Sequence, residues 1–227
     1  MIPKRMKRLA IETYRQMIEG ARVLTEDPHG PKVFELKSGY ILKLFRLKRP
    51  LSSALFSPYA LRFTGAAETL TRLGVPTVGI ESVFKVKALK RDMVLYRPLA
   101  GETLRDTLAA SENPDAILAR FAPFLAKLHD MGIYFRSVHF GNVLVMPNGE
   151  FGLIDIHEAR FCRTPLSLSK RIRNFKPVFH YREDRRAIEK FGVERFLKRY
   201  LQATNIPQAA HAPFIQWLVG THLSPKK

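Results

Sequence analysis

Asn142 and Asp155 stand at the two ends of the stretch NVLVMPNGEFGLID, and both side chains offer hard oxygen donors. Between them lie two short apolar runs, Val143-Leu144-Val145-Met146 and Phe151-Gly152-Leu153-Ile154, on either side of Asn148-Gly149. Asn-Gly is the dipeptide favoured where both central residues of a type I′ turn need positive φ, so the spacing predicts a two-residue hairpin. That register pairs Met146 with Phe151 and, at the open end, Asn142 with Asp155, with Cβ atoms roughly 4.5–5.5 Å apart. An amide oxygen beside a carboxylate suits Mg²⁺, which takes one or two protein ligands and completes its shell with water and phosphate. A hairpin with a polar mouth and no ion is the other reading of the pair.

Further reactive side chains crowd the approach to Asn142. Arg136, Ser137 and His139 precede it, and His157 and Glu158 follow Asp155. An imidazole ordinarily titrates near neutrality, so His139 reads either as a proton acceptor or as a packed ring bonded to the loop backbone. His157 and Glu158 read equally as support for Asp155 and as a solvated turn. Upstream, in Tyr40-Ile41-Leu42-Lys43-Leu44-Phe45, strand alternation puts Lys43 between Ile41 and Phe45 on one face. A lysine in apolar company either reaches into a cleft or is an ordinary solvated strand lysine. Glu68 is the only acid in a predicted helix, amid Ala66, Ala67, Leu70 and Leu73, and such a lone carboxylate points to a partner cation.

These residues must be positioned by elements that the pattern also predicts. Residues 4–20, KRMKRLAIETYRQMIEG, read as a short amphipathic helix whose cationic face meets a membrane surface or whose apolar face packs on the domain. Ala21–Thr25, Val33–Lys37 and Tyr40–Phe45 form a three-stranded meander. Ser57-Pro58 opens a helix running to about Leu73, with Ser57 as N-cap. Val78–Val86 and Asp92–Tyr96 complete a five-stranded, largely antiparallel sheet. Tyr96-Arg97-Pro98-Leu99-Ala100-Gly101 reads as a linker. Asn113-Pro114 opens a helix with Ile117, Phe121, Leu125 and Leu128 on one stripe, closing near Gly132. Two helices, about Arg182–Gln202 and Gln208–Val219, finish the chain. The expected organisation is thus an N-terminal helix over 1–20, a sheet-rich unit over 21–97 and a mainly helical one over 98–227.

Composition sets the outer bounds. A chain of 227 residues, 46% hydrophobic, can bury a full core as one domain or two small lobes. No apolar run approaches the ~18 residues of a spanning helix. The opening MIPKRMKRLA lacks a following apolar segment, so no secretory signal is expected. The single cysteine, Cys162, excludes an intramolecular disulfide and suits a reducing, cytoplasmic setting. It reads as a buried thiol rather than a nucleophile, since no motif surrounds it. The net charge of +18 implies attraction to polyanions: nucleic acid, anionic lipid or a phosphorylated substrate. No zinc-ligand spacing or RNA-recognition signature accompanies it, so nucleic acid is not the expected partner. Arg160, Arg163, Lys170, Arg171, Arg173, Lys176 and Arg182 follow one another with no acid between Glu158 and Glu183. Such a run is either an anion-binding surface or a solvated face.

The order strand-lysine, helix-glutamate, hinge, helix, Arg136-Ser137-x4-Asn142, hairpin, Asp155-Ile156-His157 resembles the protein-kinase-like fold. The likeness is to the compact form of bacterial lipopolysaccharide kinases, which phosphorylate Kdo or heptose of the inner core, and within it to the branch of toluene-tolerance proteins. YILKLFRLKR, GETLRD, YFRSVHFGNVLV and LIDIHEARF carry it, over about Ala21 to Arg182. The resemblance implies an α+β, compact two-lobed fold with an antiparallel N-lobe sheet plus helix and a small helical C-lobe. It implies ATP and Mg²⁺ as cofactors. Lys43 would contact the phosphates, Glu68 would orient Lys43, and Asn142 and Asp155 would hold the metal. Ile41 would roof the adenine and the Tyr96–Leu99 backbone would meet its edge. Arg136, Arg160, Arg163, Lys170, Arg171 and Arg173 would serve an anionic acceptor, such as lipopolysaccharide core or another anionic glycolipid at the inner-membrane surface. Only 72 residues follow Asp155, which favours a small or lipid-linked acceptor over an extended peptide.

Two departures bear on activity. Pro28-His29-Gly30-Pro31-Lys32 stands where a G-x-G-x-x-G loop is expected, and Ser137 stands where the catalytic loop H-R-D-x4-N has aspartate. Three readings follow: an active phosphotransferase, a pseudokinase that binds nucleotide or scaffolds envelope assembly, and a basic polyanion-binding protein without nucleotide.

Overall fold

The computed structural model describes residues 6–46 and 58–222, and shows a mixed α+β chain that divides after Leu99 into two compact units. The expected N-cap Ser57 lies outside the described residues.

The first unit contains β1 (Lys7–Arg8), α1 (Ile11–Met17), β2 (Arg22–Asp27), β3 (Gly30–Glu35), β4 (Ile41–Arg46), α2 (Tyr59–Arg72), β5 (Gly79–Val86) and β6 (Arg91–Arg97). They build one sheet in the order β1-β5-β6-β4-β3-β2. The meander β2-β3-β4 and the β4-β6-β5 pairings are antiparallel. A sixth, parallel strand was not expected: Lys7 and Arg8, assigned to a helix by sequence, pair with Phe84 and Lys85. An open strand edge offers backbone partners that a weakly periodic basic segment takes in preference to helix. The helix is correspondingly short. Its Tyr14 is buried, with Leu9, Ile11, Met17 and Ile18 packed beside it on Phe34, Leu42, Leu44 and Met93. The apolar face of α1 therefore rests on its own sheet.

Alternation along β4 holds as read. Leu42 and Leu44 join the α1-side core, while Phe45 meets Phe63 of α2 with ring centroids 5.8 Å apart. Both faces of the strand are covered, so Ile41 through Phe45 are all buried. On α2 the buried Ala60, Phe63, Ala66, Ala67 and Leu70 recur at helical spacing, forming the stripe that packs on the sheet.

The second unit runs through β7 (Glu102–Thr103), α3 (Leu104–Ala110), α4 (Pro114–Asp130), β8 (Ile133–Phe135), β9 (Val143–Val145), β10 (Phe151–Leu153), β11 (Ala159–Phe161), α5 (Leu168–Val178), α6 (Arg182–Phe191), α7 (Val193–Gln202) and α8 (His211–His222). Asn113 caps α4, its Oδ1 accepting from Ala116 N–H at 3.1 Å, with Pro114 in the first turn. Phe121 on that helix is fully buried and meets Phe140, Phe151 and Phe196 with centroids 5.3–6.1 Å apart. One aromatic cluster thus ties α4 to the 140 loop, to β10 and to α7. The single helix expected over Arg182–Gln202 is two, because Gly192 takes φ +97° between them. No helix among the described residues is long and apolar enough to cross a membrane.

Candidate active site

Residues 135–142 of the second unit form a loop pinned by alternate apolar residues. Phe135, Val138 and Phe140 are buried, which leaves Arg136 exposed and Ser137 and His139 partly exposed. Short backbone bonds tighten the loop, from His139 N–H to Ser137 O at 2.8 Å and from Asn142 N–H to His139 O at 2.9 Å. The Asn142 amide donates Nδ2–H to Ser137 O at 3.0 Å, which fixes the side chain and leaves its oxygen as the donor atom for a ligand.

A second support comes from further along the chain. The Asp184 carboxylate, fully buried on α6, takes Arg105 Nε–H at 2.7 Å and Nη2–H at 3.0 Å, and also Phe140 N–H at 3.0 Å. The Arg105 guanidinium lies over the Tyr181 ring at 4.7 Å, and that ring meets His139 edge-on at 4.8 Å. Burial holds the His139 imidazole below its ordinary pKa, and its Nδ1 is buried with no hydrogen-bond partner. Neither Arg105 nor Asp184 was singled out from sequence. The available signal was that Glu183 and Asp184 are the first acids after the basic run.

The hairpin exists with a corrected register. Val145 pairs with Phe151, Leu144 with Gly152 and Val143 with Leu153, one step off the expected pairing. The turn is not type I′, because Asn148 has no positive φ; Gly149 alone does, at +81°. Gly149 N–H bonds Met146 O and Met146 N–H bonds Glu150 O, each at 2.8 Å, so the loop is three residues with Pro147 second in the turn. Proline pre-set for that position outweighs the Asn-Gly preference. Asn142 therefore lies across from Ile154, whose N–H donates to Asn142 O at 3.0 Å, and not from Asp155. Asp155 is the next residue and takes the left-handed conformation, φ 52° and ψ 42°. Its side chain is 36% exposed, and its Oδ1 lies 2.9 Å from His157 Nδ1.

A cavity of about 510 Å³ opens on this loop, lined by Arg136, Ser137, His139, Arg173, Lys176 and His180 among others. Among the described residues no acid contributes to its wall. Lys176 entered from sequence only as a member of the basic run, and His180 was not proposed as a site residue. Of the cations that were, Arg136 and Arg173 line the cavity, whereas the exposed Arg160, Arg163 and Lys170 do not. Arg171 is a correction. It is 3% exposed, with Nη2 2.5 Å from Asp130 Oδ1 and Nε–H donated to Leu166 O, so it belongs to the core. Helical phase explains this, since Arg171, Ile172, Asn174, Phe175 and Val178 form the buried face of α5.

In the first unit Lys43 is 6% exposed, with its ammonium 5.5 Å from the Phe63 ring centre and 5.7 Å from that of Phe45. Ile41 is buried on the same strand face, paired with the half-buried Tyr96. Leu99, also half-buried, ends the unit. Glu68 is a second correction: it lies on the exposed side of α2. Its position on the helix puts it beyond the edge of the stripe that packs on the sheet. The Pro28-His29 turn is no phosphate cradle either. Pro28 and Pro31 have no N–H, and that of His29 is committed to Asp27 Oδ1 at 2.8 Å.

Among the described residues no three His, Cys, Asp or Glu side chains converge on one point. A hard ion held by one amide and one carboxylate needs no such cluster, so the donor chemistry of Asn142 and Asp155 fits Mg²⁺. Compared with known proteins, the chain matches no family model, and no curated protein sequence matches it.

Proposed function

We propose that this chain is an ATP- and Mg²⁺-dependent phosphotransferase of protein-kinase-like type, acting on a hydroxyl of an anionic sugar such as lipopolysaccharide inner core. The observation that carries the reading is the Ile154–Asn142 backbone bond, which sets an oriented amide oxygen one residue from an accessible carboxylate in a left-handed conformation. Unusual backbone at a polar position is a frequent mark of a ligand site. In this reading Asn142 and Asp155 hold Mg²⁺, which when bound offsets phosphate charge. Lys43 is the phosphate-binding cation, and Ile41 with the Tyr96–Leu99 backbone receives the adenine. Arg136, Arg173 and Lys176 bind the anionic part of the acceptor and leave its hydroxyl beside Ser137 and His139. Serine takes no proton at pH 7, so the neutral imidazole of His139 is the acceptor within the cavity.

Phosphate transfer from ATP to purified lipopolysaccharide core, compared between the wild type and Asp155→Asn, tests this. Asparagine keeps the shape and tolerates the left-handed conformation, so the melting temperature is expected to stay within a few degrees while turnover disappears. Equal turnover in the variant ends the assignment. Ser137 and the exposed Glu68 favour a second reading, a pseudokinase that scaffolds envelope assembly, and robust wild-type turnover excludes it.

A further inference from the structure

The first unit carries a second cavity, about 640 Å³, lined by the ends of β4, β5 and β6 and by the β2–β3 turn. Arg46, Lys85, Lys87, Lys90 and Arg91 contribute five cations to its wall. Among the described residues the one acid there is Asp92, 4% exposed, whose Oδ1 is buried without a hydrogen-bond partner. A buried acceptor without a partner costs stability, so such a group in a cavity wall calls for a donor from outside the chain. Burial pushes the Asp92 carboxyl up, and the charge of Lys85 on the neighbouring strand opposes the shift. At the rim, Leu89 is 36% exposed between Lys87 and Lys90. Among the described residues that line it there is no tryptophan, tyrosine or phenylalanine to act as a platform for stacked bases.

We infer that this cavity binds the polyol-phosphate headgroup of an anionic membrane lipid, the phosphate held by the five cations and a headgroup hydroxyl donated to Asp92. An exposed leucine among lysines suits the interface, where the apolar side chain enters the acyl boundary and the cations meet the anionic surface. The inference rests on the first unit alone and is independent of the phosphotransferase reading.

Co-sedimentation of the full chain with vesicles tests it. Vesicles of phosphatidylcholine with a fifth of phosphatidylglycerol provide the headgroup, vesicles with phosphatidic acid at equal surface charge provide phosphate without the hydroxyls, and pure phosphatidylcholine provides neither. Binding is expected to be strongest to phosphatidylglycerol. Lys87→Ser with Lys90→Gly, both at exposed positions, should weaken it roughly 25-fold at about a factor of five per surface lysine. Lys198→Ser with Arg199→Ser on α7 removes the same charge elsewhere and should weaken it far less. Asp92→Leu, of similar volume and without the unpartnered oxygen, should erase the preference for phosphatidylglycerol over phosphatidic acid. Equal weakening by the two double variants would reduce the site to non-specific attraction and overturn the inference. Unchanged headgroup preference in a folded Asp92→Leu would also overturn it, and so would binding of soluble glycerol phosphate without binding to vesicles.

Discussion

Ser137 decides how much chemistry the loop can do. Its carbonyl already orients Asn142, so a change of side chain there leaves that hydrogen bond in place. The side chain lines a cavity whose wall carries Arg136, Arg173 and Lys176, cations that would hold a new carboxylate in its charged form. Ser137→Asp is therefore expected to fold normally and, if the phosphotransferase reading holds, to raise turnover, by less than the roughly 10²–10⁴-fold worth of a positioned general base because His139 already accepts the proton. Steady-state ATP consumption in the two proteins measures it. A folded Ser137→Asp protein with no more turnover than a silent wild type would identify a scaffold. Single residues of this kind were legible in the sequence as types, yet their surroundings were not. Lys43 was read on the correct strand face, and it is buried as a lysine reaching out of solvent must be. Arg171 has the same charge as its exposed neighbours, and only the phase of α5 sends it inward to Asp130.

Elements were more legible than the bonds between them. The β2-β3-β4 meander, the strands at 79–86 and 91–97, and the helices at 59–72 and 114–130 follow from period and punctuation and appear within a few residues of expectation. The hairpin register did not follow, because two turn signals overlap in Met146-Pro147-Asn148-Gly149 and the proline prevails. A slip of one residue exchanges the faces of a strand, so the Asn142–Asp155 relation expected from sequence changed from opposite to diagonal. The α3 to α6 link was invisible as well, since it joins residues far apart in sequence. Arg105 on α3 and Asp184 on α6 clamp the loop through Phe140 N–H. Removing the arginine leaves a fully buried carboxylate without its cation, a change that typically costs about 3–5 kcal/mol. Arg105→Ala should therefore shift urea unfolding by an amount of that order. Asp184→Asn, which keeps an acceptor for Phe140 N–H, should cost less. A shift below about 1 kcal/mol in Arg105→Ala would show that the clamp does not hold the loop.

At the scale of the whole molecule, charge and burial both erode stability as pH falls. The net charge is +18 with histidines neutral, and each exposed histidine that protonates adds repulsion. His129 cannot take part in the same way. It is fully buried, with Nδ1 2.7 Å from Tyr200 Oη and Nε2 3.1 Å from Asn174 Oδ1, while Asn174 Nδ2–H reaches Phe135 O at 2.7 Å. This network runs from α4 through α5 and α7 to the start of the 135–142 loop. Burial first, and the charge of Arg171 second, push the His129 pKa down to about 3. The unfolded chain, with an ordinary histidine near 6.5, binds the proton first, so stability from this group is complete above pH 6.5 and falls as pH drops toward 3. The slope is about 1.4 kcal/mol per pH unit over that interval, so unfolding free energy should drop by about 2 kcal/mol between pH 6.5 and 5 from His129 alone. Denaturant titrations at both pH values in wild type and His129→Gln check this. The variant is expected to be less stable at pH 7 and flatter with pH. An unchanged slope would mean that the acid sensitivity of the second unit arises elsewhere.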